Sequence, residues 1–399
     1  MYVDATIREL LDLVIRWVHL IAGIMWIGNS LLFNWLDRNL TPLAQPKEGV
    51  EGEIWLLHSG GFYEVEKKQL APSQMPAKLH WFKWQNAATW ISGILLLIIV
   101  YYMGGAAYMV DPSVADISAG AAIAIGVGVL IISWFVYDLL WRSPLGENTP
   151  LAFAISFILL LATVYGLSRV LSGRAAYIHV GVILGTLMTG NVWLHVMPSQ
   201  RALVTATKAG KPQDRALAYR AKQRSIHNNY MTFPLLFIMV SNHFPSTYGN
   251  QLNWLILGIL MLAGAAIRHF MNIRFWYGGW LRALFGTALV ALALVFFLIA
   301  RAKSPASAAG GAPIAFADAR AIINRRCVVC HSATPTDNQF TVAPAGVTFD
   351  TPEQIQSRTD RIKERAVVSK TMPLGNKTGI TDEEREILGR WIDQGANIR

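Results

Sequence analysis

Apolar runs of about 20 residues recur along the first three quarters of the chain, each long enough to cross a hydrocarbon core of roughly 30 Å. They predict spans near Leu13–Trp35, Leu79–Met103, Gly120–Trp141, Pro150–Leu171, Ala176–Met197, Asn229–Phe244, Leu252–Met271 and Gly279–Ala300, about eight in all. Asp4, Glu9 and Asp12 flank the first run where a leader peptide would carry a basic cluster, so a retained helix is expected. Ala302 to Pro313, rich in Ala, Gly, Ser and Pro, reads as a flexible linker. Beyond it the pattern changes to a short helix through Ala317–Arg326. A capping box at Thr381-Asp382-Glu383-Glu384 then opens a helix that runs through Ile387, Leu388, Trp391 and Ile392 and ends near Gly395. The expected architecture is all-α, with a polytopic helical bundle over 1–301, a linker over 302–313 and a small domain over 314–399.

Composition agrees: 53% of residues are hydrophobic and 15% charged. The net charge of +10 would suit nucleic acid, but the basic residues lie between apolar runs, where topology accounts for them and no nucleic-acid partner is expected. Arg201, Lys208, Lys211, Arg215, Arg220, Lys222 and Arg224 follow the fifth span, whereas Asp111 and Asp116, with no basic residue, follow the second. The former stretch is therefore expected in the cytoplasm. On that same side the long connection from Leu36 to Lys78 holds Glu53–His58, then Ser59-Gly60-Gly61, then Phe62–Glu66. This is a hairpin pattern able to cover a pocket or cap the helix ends.

Both cysteines fall in Cys327-Val328-Val329-Cys330-His331, which leaves no thiol for a disulfide framework. The spacing is that of covalent haem attachment, with two thioethers gripping the porphyrin and His331 ligating the iron. Met372, in Thr371-Met372-Pro373-Leu374, is placed to be the second axial ligand, which would raise the potential and suit an electron acceptor. Residues 314–399 are thus expected to form a cytochrome c domain with haem c. Such attachment occurs outside the cytoplasm, so the domain is expected in the periplasm, carried by a bacterial inner-membrane protein among lipid.

Histidines at membrane depth form a second signal, because a polar ring there is costly without a partner. On the topology above, His19, His179 and His243 fall toward the periplasm, and His80, His195, His227 and His269 toward the cytoplasm. The outer group is expected to hold one b-type haem, a second remaining open. His179 and His195, sixteen residues apart, would lie about 160° apart around an α-helix and so not face one narrow core.

Long motifs resemble a known family. Arg16–Ser30 in the first helix, His58-Ser59-Gly60-Gly61-Phe62-Tyr63, Leu79-His80-Trp81-Phe82-Lys83-Trp84 and Ser241-Asn242-His243-Phe244-Pro245 are similar to the membrane-bound PuuD-type urate oxidases. The terminal CxxCH with its Met-Pro fits the same family, and the first helix also resembles HemJ-type protoporphyrinogen oxidases, which favours His19 as a haem ligand. The resemblance implies oxidation of urate to 5-hydroxyisourate in purine catabolism. Electrons would pass to the chain's own haem and on to an acceptor leading to a terminal oxidase, without peroxide. An anionic purine needs cations, N–H donors and an aromatic stack, and His58, His80, Lys83, Trp81, Trp84 and Arg268 are the expected set on the cytoplasmic side. Substrate bound there would leave electrons roughly 30 Å of hydrocarbon to cross, which is the main reason to expect the b-type haem. Two other classes stay open: a b/c cytochrome oxidising quinol or relaying electrons from another dehydrogenase, and a transporter or anchor whose tail alone is redox-active.

Overall fold

The computed structural model describes residues 5–103, 106–212, 214–302, 312–340 and 342–398. Most of the expected linker lies outside these described residues. The membrane-type helices are α1 (Ala5–Asn39), α2 (Trp84–Leu96), α3 (Ala119–Arg142), α4 (Thr149–Ser168), α5 (Gly173–Gly190), α6 (Met197–Lys208), α7 (Arg215–Val240), the short α8 (Pro245–Tyr248), α9 (Asn253–Ile273) and α10 (Trp280–Ala302). Among the described residues seven helical stretches are long and apolar enough to cross a membrane. The one expected run outside these seven, Asn229–Phe244, occupies the second half of α7 and the turn after it. Local chemistry starts these helices: Ser118, Asn148, Ser172 and Asp214 each accept a first-turn N–H on the side-chain oxygen.

α5 is the hub. It packs on α2, α3, α4 and α7, and its side chains from Ala175 to Thr189 are the most continuously buried in the bundle. α1 leans on α2, α10 on α9, and both turn faces rich in exposed Leu, Ile, Phe and Trp outward, as a lipid-facing surface requires. The basic stretch after the fifth apolar run is not a loop: Arg201 and Lys208 lie on α6, and Arg215 to Arg224 on the first half of α7.

The expected hairpin forms as β1 (Val50–His58) and β2 (Gly61–Lys68), antiparallel, with His58 opposite Gly61. Both turn residues, Ser59 (φ 48°) and Gly60 (φ 78°), are left-handed, which matches the twist of a two-residue hairpin. Its Trp55, Leu57 and Phe62 are exposed, whereas Ile54 is buried.

Residues from Ile314 onward have their own core. α11 (Phe316–Arg326) packs on α14 (Asp382–Asp393), with α12 (Pro352–Gln356) and α13 (Thr359–Ile362) between them in sequence. Ile323, Ile355, Leu388 and Trp391 are fully enclosed. The capping box is formed: Thr381 Oγ1 accepts from Glu384 N, and Glu384 Oε2 accepts from Thr381 N at 3.0 Å. Glu384 also accepts from Arg326 Nε at 3.0 Å, tying α14 to α11. Burial works against the Glu384 charge, yet Arg326 and the Thr381 N–H hold its carboxyl below the usual range. Its stabilisation is therefore complete above the ordinary carboxylate pKa and fades as pH falls through the lowered one. Glu384→Ala is expected to cost about 1–2 kcal/mol at neutral pH. In thermal melts the gap from the parent protein should narrow in acid; a gap that widens would contradict this.

Candidate functional site

The Cys327–His331 segment continues the last turn of α11, with Cys330 N and His331 N both donating to Cys327 O. His331 Nδ1 donates to Val347 O at 2.9 Å, which fixes the tautomer and leaves Nε2 as the nitrogen with a lone pair to offer. Burial lowers the affinity of this imidazole for a proton, keeping it a neutral donor. Both thiols are unpaired, and burial pushes them up to about 12 for Cys327 and about 11 for Cys330. In these surroundings both are neutral thiols. Met372 sits on a braced loop: its N–H donates to Arg365 O at 2.9 Å, and its carbonyl accepts from the buried Arg385 at 2.8 Å. This donor set fits a c-type haem.

Of the outer histidines, His19 and His179 are each held by their own protein partners. His19 Nδ1 donates to Thr89 O at 2.9 Å and faces Gly93 on α2, where a Cβ would come within 3.1 Å of the ring. His179 is fully buried; its Nδ1 donates to Ala175 O, and its Nε2 accepts from Tyr102 at 3.1 Å. Gly93 and Tyr102, which these two rings meet, are nine residues apart on one helical run. His243 lies exposed on the Ser241–His243 turn. Both ring nitrogens of His179 are taken by protein partners, so His179 as held here does not fit an axial ligand of a b-type haem.

The inner histidines are better connected. His195 Nε2 lies 2.7 Å from Asp138 Oδ1, which also accepts from the buried Arg224 at 2.8 Å. Tyr137, beside Asp138, bonds His227 Nδ1 at 2.7 Å and accepts from Asn191 at 2.8 Å. His269 pairs separately with Tyr230. Against the 160° expectation, His179 and His195 both abut α3, at Gly126 and Asp138. The reason is the widened π turn over Asn191–Val196, which advances each residue by less than the 100° of an α-helix.

Of the expected purine-binding set, only part is gathered. The Lys83 ammonium lies 5.2 Å from the Trp84 ring and 6.0 Å from Trp81, with Trp193 completing the aromatic cage at 5.8 Å. Arg268 is elsewhere, buried between α9 and α7 with its Nε donating to Asn229 at 3.0 Å. His58 and His80 are exposed, the former at the hairpin tip.

A feature missed in the sequence lies where the C-terminal unit meets the bundle. Gly375 approaches Val110 O and Gly249 approaches Ser369 O, each so closely that a Cβ would fall within 3 Å of the facing oxygen. Tyr108 meets Phe340 edge to face at 6.4 Å. Beside this contact a polar cavity of about 590 Å³ is lined by Arg169 and Arg174 from the bundle and by Arg365, Lys370 and Met372 from the C-terminal unit. Neither Arg169 nor Arg174 lies in a motif, and both read as ordinary helix-end anchors. Asp138 had a signal: it is the single carboxylate in the α3 apolar run.

The family model described as Urate oxidase N-terminal matches residues 5–300. No curated protein and no solved structure matches the chain.

Proposed function

The chain belongs to the urate oxidase N-terminal family, and from that premise we propose that it is a membrane-bound urate oxidase that hands its electrons to a c-type haem on its own C-terminal unit. The observation that carries the reading is the union, in one chain, of the family match over 5–300 and a CxxCH turn whose histidine is already held in the ligating tautomer. Urate and water give 5-hydroxyisourate, two protons and two electrons. Cys327 and Cys330 would supply the thioethers, and His331 and Met372 the axial ligands. When bound, the haem supplies one-electron transfer to an acceptor leading to a terminal oxidase. Arg385 and Val347 hold the Met372 and His331 sides of the site in place.

On this reading the second half of α7 is an eighth crossing, both termini lie in the periplasm, and the basic residues of α6 and early α7 lie in the cytoplasm of a bacterial inner membrane. The decisive experiment is anaerobic addition of urate to the purified protein, followed in the haem absorption bands. Reduction is expected, with 5-hydroxyisourate formed and no peroxide. An unchanged oxidised spectrum would refute the proposal.

A second reading, quinol oxidation, is favoured by an apolar cavity of about 490 Å³ among α3, α4, α5, α7 and α9. His227 lines it with an Nε2 that has no partner among the described residues, a group able to bond a quinone oxygen. Haem reduction by a quinol analogue and not by urate would select this reading.

A further inference from the structure

Of the five ionic side chains around the cavity between bundle and C-terminal unit, four are cationic and one, Asp111, is acidic. Asp111 accepts from Ser113 N and Oγ, and Lys370 is already paired with Asp382 at 2.6 Å. Arg169, Arg174 and Arg365 have no carboxylate partner among the described residues. Three guanidiniums from two different units line one cavity with Asp111 as the single carboxylate in its lining, an excess of positive charge that an anion would offset.

Arg174 is the most defined of the three. Its guanidinium lies 4.3 Å over the Tyr108 ring, and its Nε donates to the Tyr101 hydroxyl at 3.2 Å. These contacts fix the plane of the fork and leave its terminal nitrogens without partners among the described residues. A fixed fork of this kind recognises a planar oxyanion through two parallel hydrogen bonds. The cavity volume falls within the range of small-molecule sites.

We infer that this cavity is the binding site of the planar purine anion, with Arg174 and Arg365 as its anchors, and that urate is therefore bound on the cytochrome side of the membrane. The inference rests on the urate oxidase reading and deepens it. The Trp81, Lys83 and Trp84 cage is then not the substrate site, and electrons need not cross the bilayer to reach Met372, which lines the same cavity. The same guanidiniums also suit haem propionates, which present the same carboxylate chemistry.

The test is equilibrium dialysis of radiolabelled urate against the full-length haem-loaded protein, reduced beforehand so that no turnover occurs. Arg174→Gln and Arg365→Gln are expected to weaken binding roughly 10- to 100-fold, with Arg174→Lys recovering part of it. Arg365 is on the other unit and is half-buried, so its variant remains informative should Arg174→Gln fold poorly. Unchanged urate affinity in both, with a shifted haem spectrum or potential, would assign the arginines to the propionates and overturn the inference. So would loss of binding in Lys83→Gln with both arginine variants intact. Absence of urate binding by the parent protein would instead refute the urate oxidase reading itself.

Discussion

Replacing Asp138 by alanine is expected to destabilise the bundle by about 3–5 kcal/mol, the loss found when one member of a buried ion pair is removed and the other keeps its charge. Arg224 would be the stranded partner. Its side chain is 5% exposed, and the Asp138 carboxylate at 2.8 Å is its sole ion-pair partner among the described residues. It also makes a long bond to the Asp138 backbone carbonyl and contacts Tyr137, whose ring lies 5.0 Å away. The reverse change, Arg224→Ala, should cost less, because Asp138 keeps His195 at 2.7 Å and the exposed Arg142 at 3.5 Å. Denaturant unfolding in detergent measures both. Equal losses, or an Asp138 loss below about 1 kcal/mol, would show that the pair does not hold α3 and α7 together.

That pair also marks what one sequence can and cannot reveal. A lone carboxylate in the α3 apolar run announces a buried partner, but not which of the seven basic residues between Arg201 and Arg224 it will be. The choice depends on α7 lying against α5 and on its early turns being helical, which a charge-rich stretch does not disclose. Elements set by local chemistry were legible: the hairpin from Ser59-Gly60, the Thr381–Glu384 capping box and the apolar runs. Groupings set by helix neighbours were not. His19 and His179 share an expected depth in sequence, yet one reaches Gly93 and the other Tyr102. The π turn at Asn191–Val196 likewise shifts the helix phase with no residue pattern to announce it. Arg174 was invisible as a site residue because its partners, Tyr108 and the C-terminal unit, are distant along the chain.

Substitution of Gly249 by valine is expected to reduce urate-driven haem reduction on the order of 100-fold or more, since a misplacement of about 1 Å far from the chemistry can cost that much. Gly249 has an ordinary φ of −83°, so a side chain there is not excluded by the backbone. Besides Pro245 O of its own turn at 2.8 Å, a Cβ there would meet the C-terminal unit: Thr371 Cγ2 at 2.6 Å and Ser369 O at 2.9 Å, one and three residues from Met372. Both contacts are under van der Waals separation, and the Ser369 oxygen is backbone, fixed by the loop that presents Met372. The valine must therefore push the loop and the bundle apart, widening the cavity that Arg174 and Arg365 line from opposite sides. Gly249→Ala, which brings only the Cβ, should fall between valine and the parent. Reduction by a small chemical reductant should be unchanged in both, because it needs no docking of the two units. If valine leaves the urate-driven rate intact, electron delivery does not depend on this contact and the proposed path from bundle to C-terminal unit is wrong. If it abolishes chemical reduction as well, the substitution has damaged the haem site, and Gly375→Ala, facing Val110 O across the same seam, becomes the variant that decides.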